Sequence, residues 1–216
     1  MKRTPIDFLI FDFDGTLTDS IPAAVLAIQK MIAELGLPYK SKEEINKHVG
    51  YGEVPLVSGS IGGDEPKLLK RAMEIYFRHY IEEGIKTIPL YPQVREFLEY
   101  FMSKPKIIVS NKKDEFIRII LNNHGLISCF KEILGGDTAP CLKPDPCVIV
   151  ELIRKYKVLP ERALFIGDMI VDIETGKNAG IKTCGVTYGF DGREKLTAHH
   201  PDFLVGDLLE LKDLIV

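Results

Sequence analysis

The sequence predicts an α/β fold, a doubly wound (Rossmann-like) parallel sheet core with an inserted α-helical cap domain. Three observations lead there. Apolar runs of strand length recur along the 216 residues, helical stripes separate them, and one interval between runs is too long for a single crossover helix.

The first run, Phe8 to Phe13, is apolar until charge interrupts it, as a strand covered on both faces reads. The later runs are "KIIVSN" (Lys106 to Asn111), "EIL" (Glu132 to Leu134), "ALFIGD" (Ala163 to Asp168) and "KTCGVT" (Lys182 to Thr187). Between them, Val94, Phe97, Leu98 and Phe101 fall at i, i+3, i+4 and i+7, and Ile149, Leu152, Ile153 and Tyr156 repeat that spacing. Each set gives a helix one apolar face for packing on a sheet. The alternation implies right-handed crossovers and a ligand edge beyond the carboxyl ends of the strands.

About ninety residues lie between the first two runs, and the excess reads as helical. Ile21, Ala24, Val25, Ile28, Ile32 and Leu35 make one face of a helix from near Ser20 to Gly36, and Asp64 with Pro66 opens another that runs through Tyr80. Residues 1–17 and 89–216 therefore form the expected core, and 18–88 the cap. The hinges fall at Thr16 to Ser20 and Thr87 to Pro92, where "TIPLYP" cannot continue a helix.

Hydrophobic content of 45% is ordinary for a globular chain, and a net charge of −3 offers no basic stripe, so no nucleic-acid partner is expected. The opening "MKRTPIDFLIFDFDG" is interrupted by acids and fits neither a signal peptide nor a membrane span; the protein is expected to be soluble and cytoplasmic, with no membrane partner. Composition does not set its oligomeric state. Cys129, Cys141, Cys147 and Cys184 show neither CxxC spacing nor a compact framework, and read as reduced thiols. His199 and His200 are adjacent and would point apart, which argues against zinc.

Polar residues cluster at the ends of the predicted strands: Asp12 and Asp14, then Ser110 and Asn111, then Lys143, then Asp168 and Asp172. Singly, each has an ordinary use in a turn, a helix cap or a solvated surface. In a parallel sheet they reach one edge together. If Asp12 and Asp14 continue the strand, their carboxylates converge on one spot, an arrangement that calls for a cation. Acids around a single lysine suit Mg2+, which binds few carboxylates and keeps positions for water and phosphate. Phosphoryl transfer uses each residue type. Asp12 would attack phosphorus and Asp14 would move the proton, while Ser110, Lys143 and the backbone amides around Asp14 and Asn111 would bind the transferring oxygens. Asp172 either supports this site or only caps the following helix. Gly50, Tyr51 and Gly52 read as a tight turn or as a loop facing the substrate.

"DFDGTLTDS", "VSN", "LKPDP" and "GDMIVDIETGKNAG" resemble, in order and spacing, the four motifs of the haloacid dehalogenase superfamily of phosphatases. The resemblance implies Asp12 as nucleophile and metal ligand, and Asp14 as general acid/base that also ligates through its backbone carbonyl. It further implies Ser110 and Lys143 as phosphate ligands, Asp168 as metal ligand and Asp172 as a supporting acid. The long insert is similar to the helical cap of the first subclass. "HVGYGEVPLV" and "LGGDTAPCLKPDP" are similar to segments of its phosphoglycolate phosphatase branch, whereas Met169 and Ile170 depart from the usual residues beside the metal. The expected activity is Mg2+-dependent hydrolysis of a small phosphorylated metabolite, 2-phosphoglycolate first. A β-phosphoglucomutase-like phosphotransferase and a non-enzymatic phospho-receiver module are the alternatives.

Overall fold

In a computed structural model, residues 3–216 are described, so Met1 and Lys2 of the expected core segment lie outside the described residues. The sheet is built from β1 (Phe8–Phe11), β2 (Lys106–Val109), β3 (Glu132–Leu134), β4 (Ala163–Gly167), β5 (Lys182–Val186) and β6 (Phe203–Val205). The spatial order is β3-β2-β1-β4-β5-β6. Every adjacent pair is parallel.

β1 is apolar at every position because both of its faces are covered. Leu9 and Phe11 join a large core cluster, where Phe11 meets the rings of Phe97 and Phe130 at 5.9 and 6.1 Å. Phe8 and Ile10 point the other way, into a second cluster with Val148, Ile149 and Leu152. Phe8 stands 5.0 Å from the ring of Tyr156. This is the period of two expected of a strand, and truncating Phe11 to alanine would cost about 3–5 kcal/mol. β6 was not expected from the sequence; its three residues carry no alternation long enough to read.

Between β1 and β2 lie α1 (Ile21–Glu34), α2 (Lys42–Asn46), α3 (Glu53–Ile61) and α4 (Pro66–His79), the last continuing into a π-helical turn over Tyr80–Gly84. Pro22 sits in the first turn of α1, where a missing N–H is harmless. Gly36, at φ +67°, ends the helix with the Leu37 N–H donating to the Ile32 carbonyl. Val25, Ile28, Met31 and Ile32 of α1 share a buried cluster with Ala72, Ile75 and Tyr76 of α4. The two chain connections to this helical insert run side by side. Thr18 bridges Leu90, the Asp19 N–H donates to the Pro89 carbonyl at 3.0 Å, and the Tyr91 N–H donates to the Leu17 carbonyl at 3.0 Å.

The expectation of four reduced thiols is corrected: Cys141 and Cys147 are joined in a disulfide, while Cys129 and Cys184 are free. A turn closed by the Asp145 N–H on the Leu142 carbonyl folds the segment back. The two Cα atoms come within 6.2 Å, well inside the bridging range. Among the described residues, no helix is long and apolar enough to cross a membrane.

Candidate active site

β1 stops at Phe11, but the next residue still belongs to the sheet's edge, since the Asp12 N–H donates to the Ile166 carbonyl at 2.9 Å. Ser110 extends β2 in the same way, donating its N–H to the Leu134 carbonyl at 3.0 Å. Asp168 follows β4 directly, and Asp172 lies in the first turn of α8 (Ile170–Asn178). Backbone pairing thus holds these residues on one rim.

Lys143 is the hub. Its ammonium is 2.8 Å from Asp12 Oδ1 and 2.7 Å from Asp172 Oδ1, and all three side chains are buried. Asp172 does both jobs considered for it, because its Oδ2 accepts the Met169 N–H at 3.0 Å at the start of α8. Asp168 accepts from the Thr16 hydroxyl at 2.9 Å and from the Phe190 N–H at 2.7 Å. Gly15 is required beside it. At φ +78° a side chain there would be strained, and its Cβ would stand 2.1 Å from Asp168 Oδ2.

Burial pushes the Asp12 carboxyl up to about 6; Lys143 opposes the shift and Asp172 adds to it. Burial likewise raises Asp168 well above the carboxylate range, with the charges of Asp172 and Asp12 acting in the same direction. For Lys143, burial works against the ammonium, but Asp12 and Asp172 outweigh it and hold the proton more firmly than usual. Oxygens of Asp12, Asp168 and Asp172 all lie within 4.8 Å of one another. Three buried carboxylates facing one buried ammonium leave surplus negative charge, and this donor set fits a hard divalent cation such as Mg2+.

Asp12 and Asp14 stand near enough for the charge of Asp14 to act on the Asp12 carboxyl, but they hold different partners. Past Phe11 the chain turns, and the Asp14 carboxylate is engaged by the Ser20 hydroxyl and, at 3.2 Å, by the Lys112 ammonium. Both aspartates still line one cavity, together with Ser110, Asn111 and Lys143. The Asn111 side chain is bonded to the protein, which leaves only its backbone amide for the substrate role expected of this residue. It accepts the Lys143 N–H at 2.9 Å and donates to the carbonyls of Lys143 and Gly50 at 3.2 and 3.0 Å. Asn111 therefore clamps the lysine loop to the insert.

Ile21, Ala24, Val49, Leu56 and Tyr76 form the insert's side of the cavity, which spans about 590 Å3 including its open mouth. Gly50 and Gly52 line it as well, while Tyr51 between them is half exposed. The cavity also takes in Lys112, which the sequence does not single out, and Glu53, which ends the Gly50 to Glu53 loop. Glu53 is the first residue of α3 and accepts the Lys113 N–H at 2.8 Å. Lys112 belongs to a Lys-Lys pair ahead of α6 (Asp114–Asn123), a pattern that ordinarily reads as solvated, and no sequence signal separates it from Lys113.

A family model described as haloacid dehalogenase-like hydrolase matches residues 9–186. The chain is 34% identical over 224 aligned positions to the phosphoglycolate phosphatase of Vibrio parahaemolyticus, with 100% of this chain and 98% of the relative covered. It is 32% identical to the phosphoglycolate phosphatase of Pseudomonas savastanoi pv. phaseolicola, over 94% of this chain and 77% of the relative. Among solved structures, that of a predicted phosphoglycolate phosphatase from Haemophilus somnus 129pt matches with a TM-score of 0.90 at 27% identity, covering 96% of this chain and 97% of that one. A haloacid dehalogenase-like family hydrolase from Streptococcus pneumoniae matches with a TM-score of 0.83, also at 27% identity and with the same coverage of 96% and 97%. The family match spans every loop that carries the buried acids and lysines, and the chain belongs to the haloacid dehalogenase-like hydrolase family.

Proposed function

We propose that this hydrolase is a Mg2+-dependent phosphatase of small phosphomonoesters, with 2-phosphoglycolate as the first substrate to test. The observation that carries the reading is the Lys143 ammonium held between Asp12 and Asp172, with Asp168 within oxygen-cluster distance. The phosphoglycolate phosphatases among its relatives support the same chemistry. Asp12, Asp168 and the Asp14 carbonyl would hold Mg2+, which supplies charge screening between the anionic nucleophile and the anionic ester.

Asp12 is the nucleophile. One of its oxygens bonds to phosphorus as the bond from phosphorus to the ester oxygen breaks, and the Asp14 carboxyl gives its proton to the departing alkoxide. In the second half, the Asp14 carboxylate takes a proton from water as the water oxygen attacks phosphorus. The bond to Asp12 breaks, inorganic phosphate leaves, and Asp14 is protonated again. Ser110 and Lys143 hold the transferring oxygens, where the transition-state charge is spread. The apolar wall from the insert excludes bulk water during both steps.

Phosphate release from a panel of phosphorylated metabolites, with Mg2+ and with a chelator, tests the reading. Asp12→Asn should abolish turnover of every ester. Undiminished release by that variant would rule out the covalent route. Transfer of the phosphoryl group to a sugar hydroxyl, read in a coupled assay with β-glucose 1-phosphate, would point to the mutase instead.

A further inference from the structure

Among the described residues lining the cavity only two are cationic, and Lys143 is already committed to Asp12 and Asp172. The other is Lys112, whose side chain is 5% exposed. Its ammonium lies 3.2 Å from Asp14 Oδ1 and 4.6 Å from the centre of the Tyr80 ring. An ammonium has three donors. One is turned to Asp14 and a second faces the Tyr80 hydroxyl, and among the described residues no hydrogen bond from Lys112 to a backbone carbonyl occupies the third.

The position of this cation is informative because of what Asp14 does. On the phosphatase reading, Asp14 must touch the ester oxygen that leaves. A cation in contact with Asp14 therefore sits beside the leaving group. The insert adds an apolar wall and one carboxylate, Glu53, whose Oε1 is turned to the Lys113 N–H. An anionic group one carbon from the ester oxygen would find Lys112 as its cation.

We propose that Lys112 is a specificity-determining residue: it binds a carboxylate on the leaving group and so selects phosphomonoesters of short α-hydroxy acids over phosphates of neutral alcohols. This inference rests on the phosphatase reading and goes further by naming the group that the site reads. Lys112 keeps its contact with Asp14 and turns a free donor to the carboxylate. No bond is made or broken in this step.

The test compares 2-phosphoglycolate with 2-hydroxyethyl phosphate, which replaces the carboxylate by a neutral hydroxymethyl group, in wild type, Lys112→Met and Lys112→Arg. Wild type should favour the acid in kcat/KM by about 10- to 100-fold, the range expected of a buried charge-assisted pair. Lys112→Met should collapse that ratio toward unity, chiefly through KM for the acid, and Lys112→Arg should restore part of it. If both esters lose equally, and in kcat, Lys112 acts only through Asp14 and the proposal is overturned. A wild-type enzyme without preference for the acid overturns it independently, whether or not the Met variant folds. Failure of wild type to hydrolyse either ester would instead sink the phosphatase reading.

Discussion

The Lys143 ammonium donates to Asp172 Oδ1 across 2.7 Å, and neither side chain is more than 2% exposed. Asp172 also receives the Met169 N–H on its other oxygen, so one carboxylate fixes both the lysine and the start of α8. Substitution separates the two jobs. Asp172→Asn keeps an acceptor for the Met169 N–H but gives up the charge facing Lys143, and should lower kcat/KM by about 10–100-fold, as loss of an orienting partner commonly does. Asp172→Ala also leaves a buried N–H without an acceptor, and should be less stable than the Asn variant by about 1–3 kcal/mol in denaturant melts. Equal stability of the two would contradict the second role.

Stability should fall with rising pH when divalent metal is chelated. The folded state raises Asp12 from 3.8 to about 6, so between those values it binds more protons than the unfolded chain. Stability is then lost as pH climbs through the window, by at most about 3 kcal/mol from this group. Asp168 shifts in the same direction. Asp7, lowered by its hydrogen bond to Arg162, acts oppositely, but that pair is exposed and contributes little. Mg2+ binding the folded cluster should restore what is lost. Thermal melts with chelator and with saturating Mg2+ should therefore diverge as pH rises, and a Mg2+ effect independent of pH would count against the buried cluster as the metal site.

Gly50, at φ +98°, passes so close to Met169 that a Cβ would stand 2.5 Å from its Cε. Gly50→Ala should lift this loop from the cavity and raise KM about tenfold, in keeping with about 1–2 kcal/mol for the left-handed conformation alone. Adding Met169→Ala relieves the collision but not the backbone strain, so the double variant should recover part of the loss. No recovery would mean that the contact is incidental.

Thiol titration of the unfolded, unreduced chain should find Cys129 and Cys184 reactive and Cys141 and Cys147 silent until a reductant is added. Four reactive thiols before reduction would remove the covalent link across the Lys143 loop.

The sequence conveyed the sheet well because β1, β2 and β4 are covered on both faces and so leave the apolar runs FLIF, IIV and ALFIG. The gathering of Asp12, Ser110 and Asp168 on one rim followed from the strand ends. What stayed hidden depended on chain direction after a turn, which no periodicity records. Asp14 meets Ser20 and Lys112 because the chain turns over residues 15–17, and Asn111 serves the Lys143 main chain because the two loops meet there. Lys112 and Lys113 look alike as letters, yet their side chains are 5% and 31% exposed, since only the first turns inward beneath the insert.

The paired connections to the insert lie side by side like the pins of a door, so any rotation of the insert would turn about them. Asp14 is wired to that axis: Thr18 bridges it, the Gly15 N–H holds the Thr18 carbonyl at 2.8 Å, and Ser20, at the threshold of α1, grips its carboxylate. Such a rotation would carry the Asp14 carboxylate with it. On the phosphatase reading, admission of the ester and placement of the acid would then share a single mechanical coordinate.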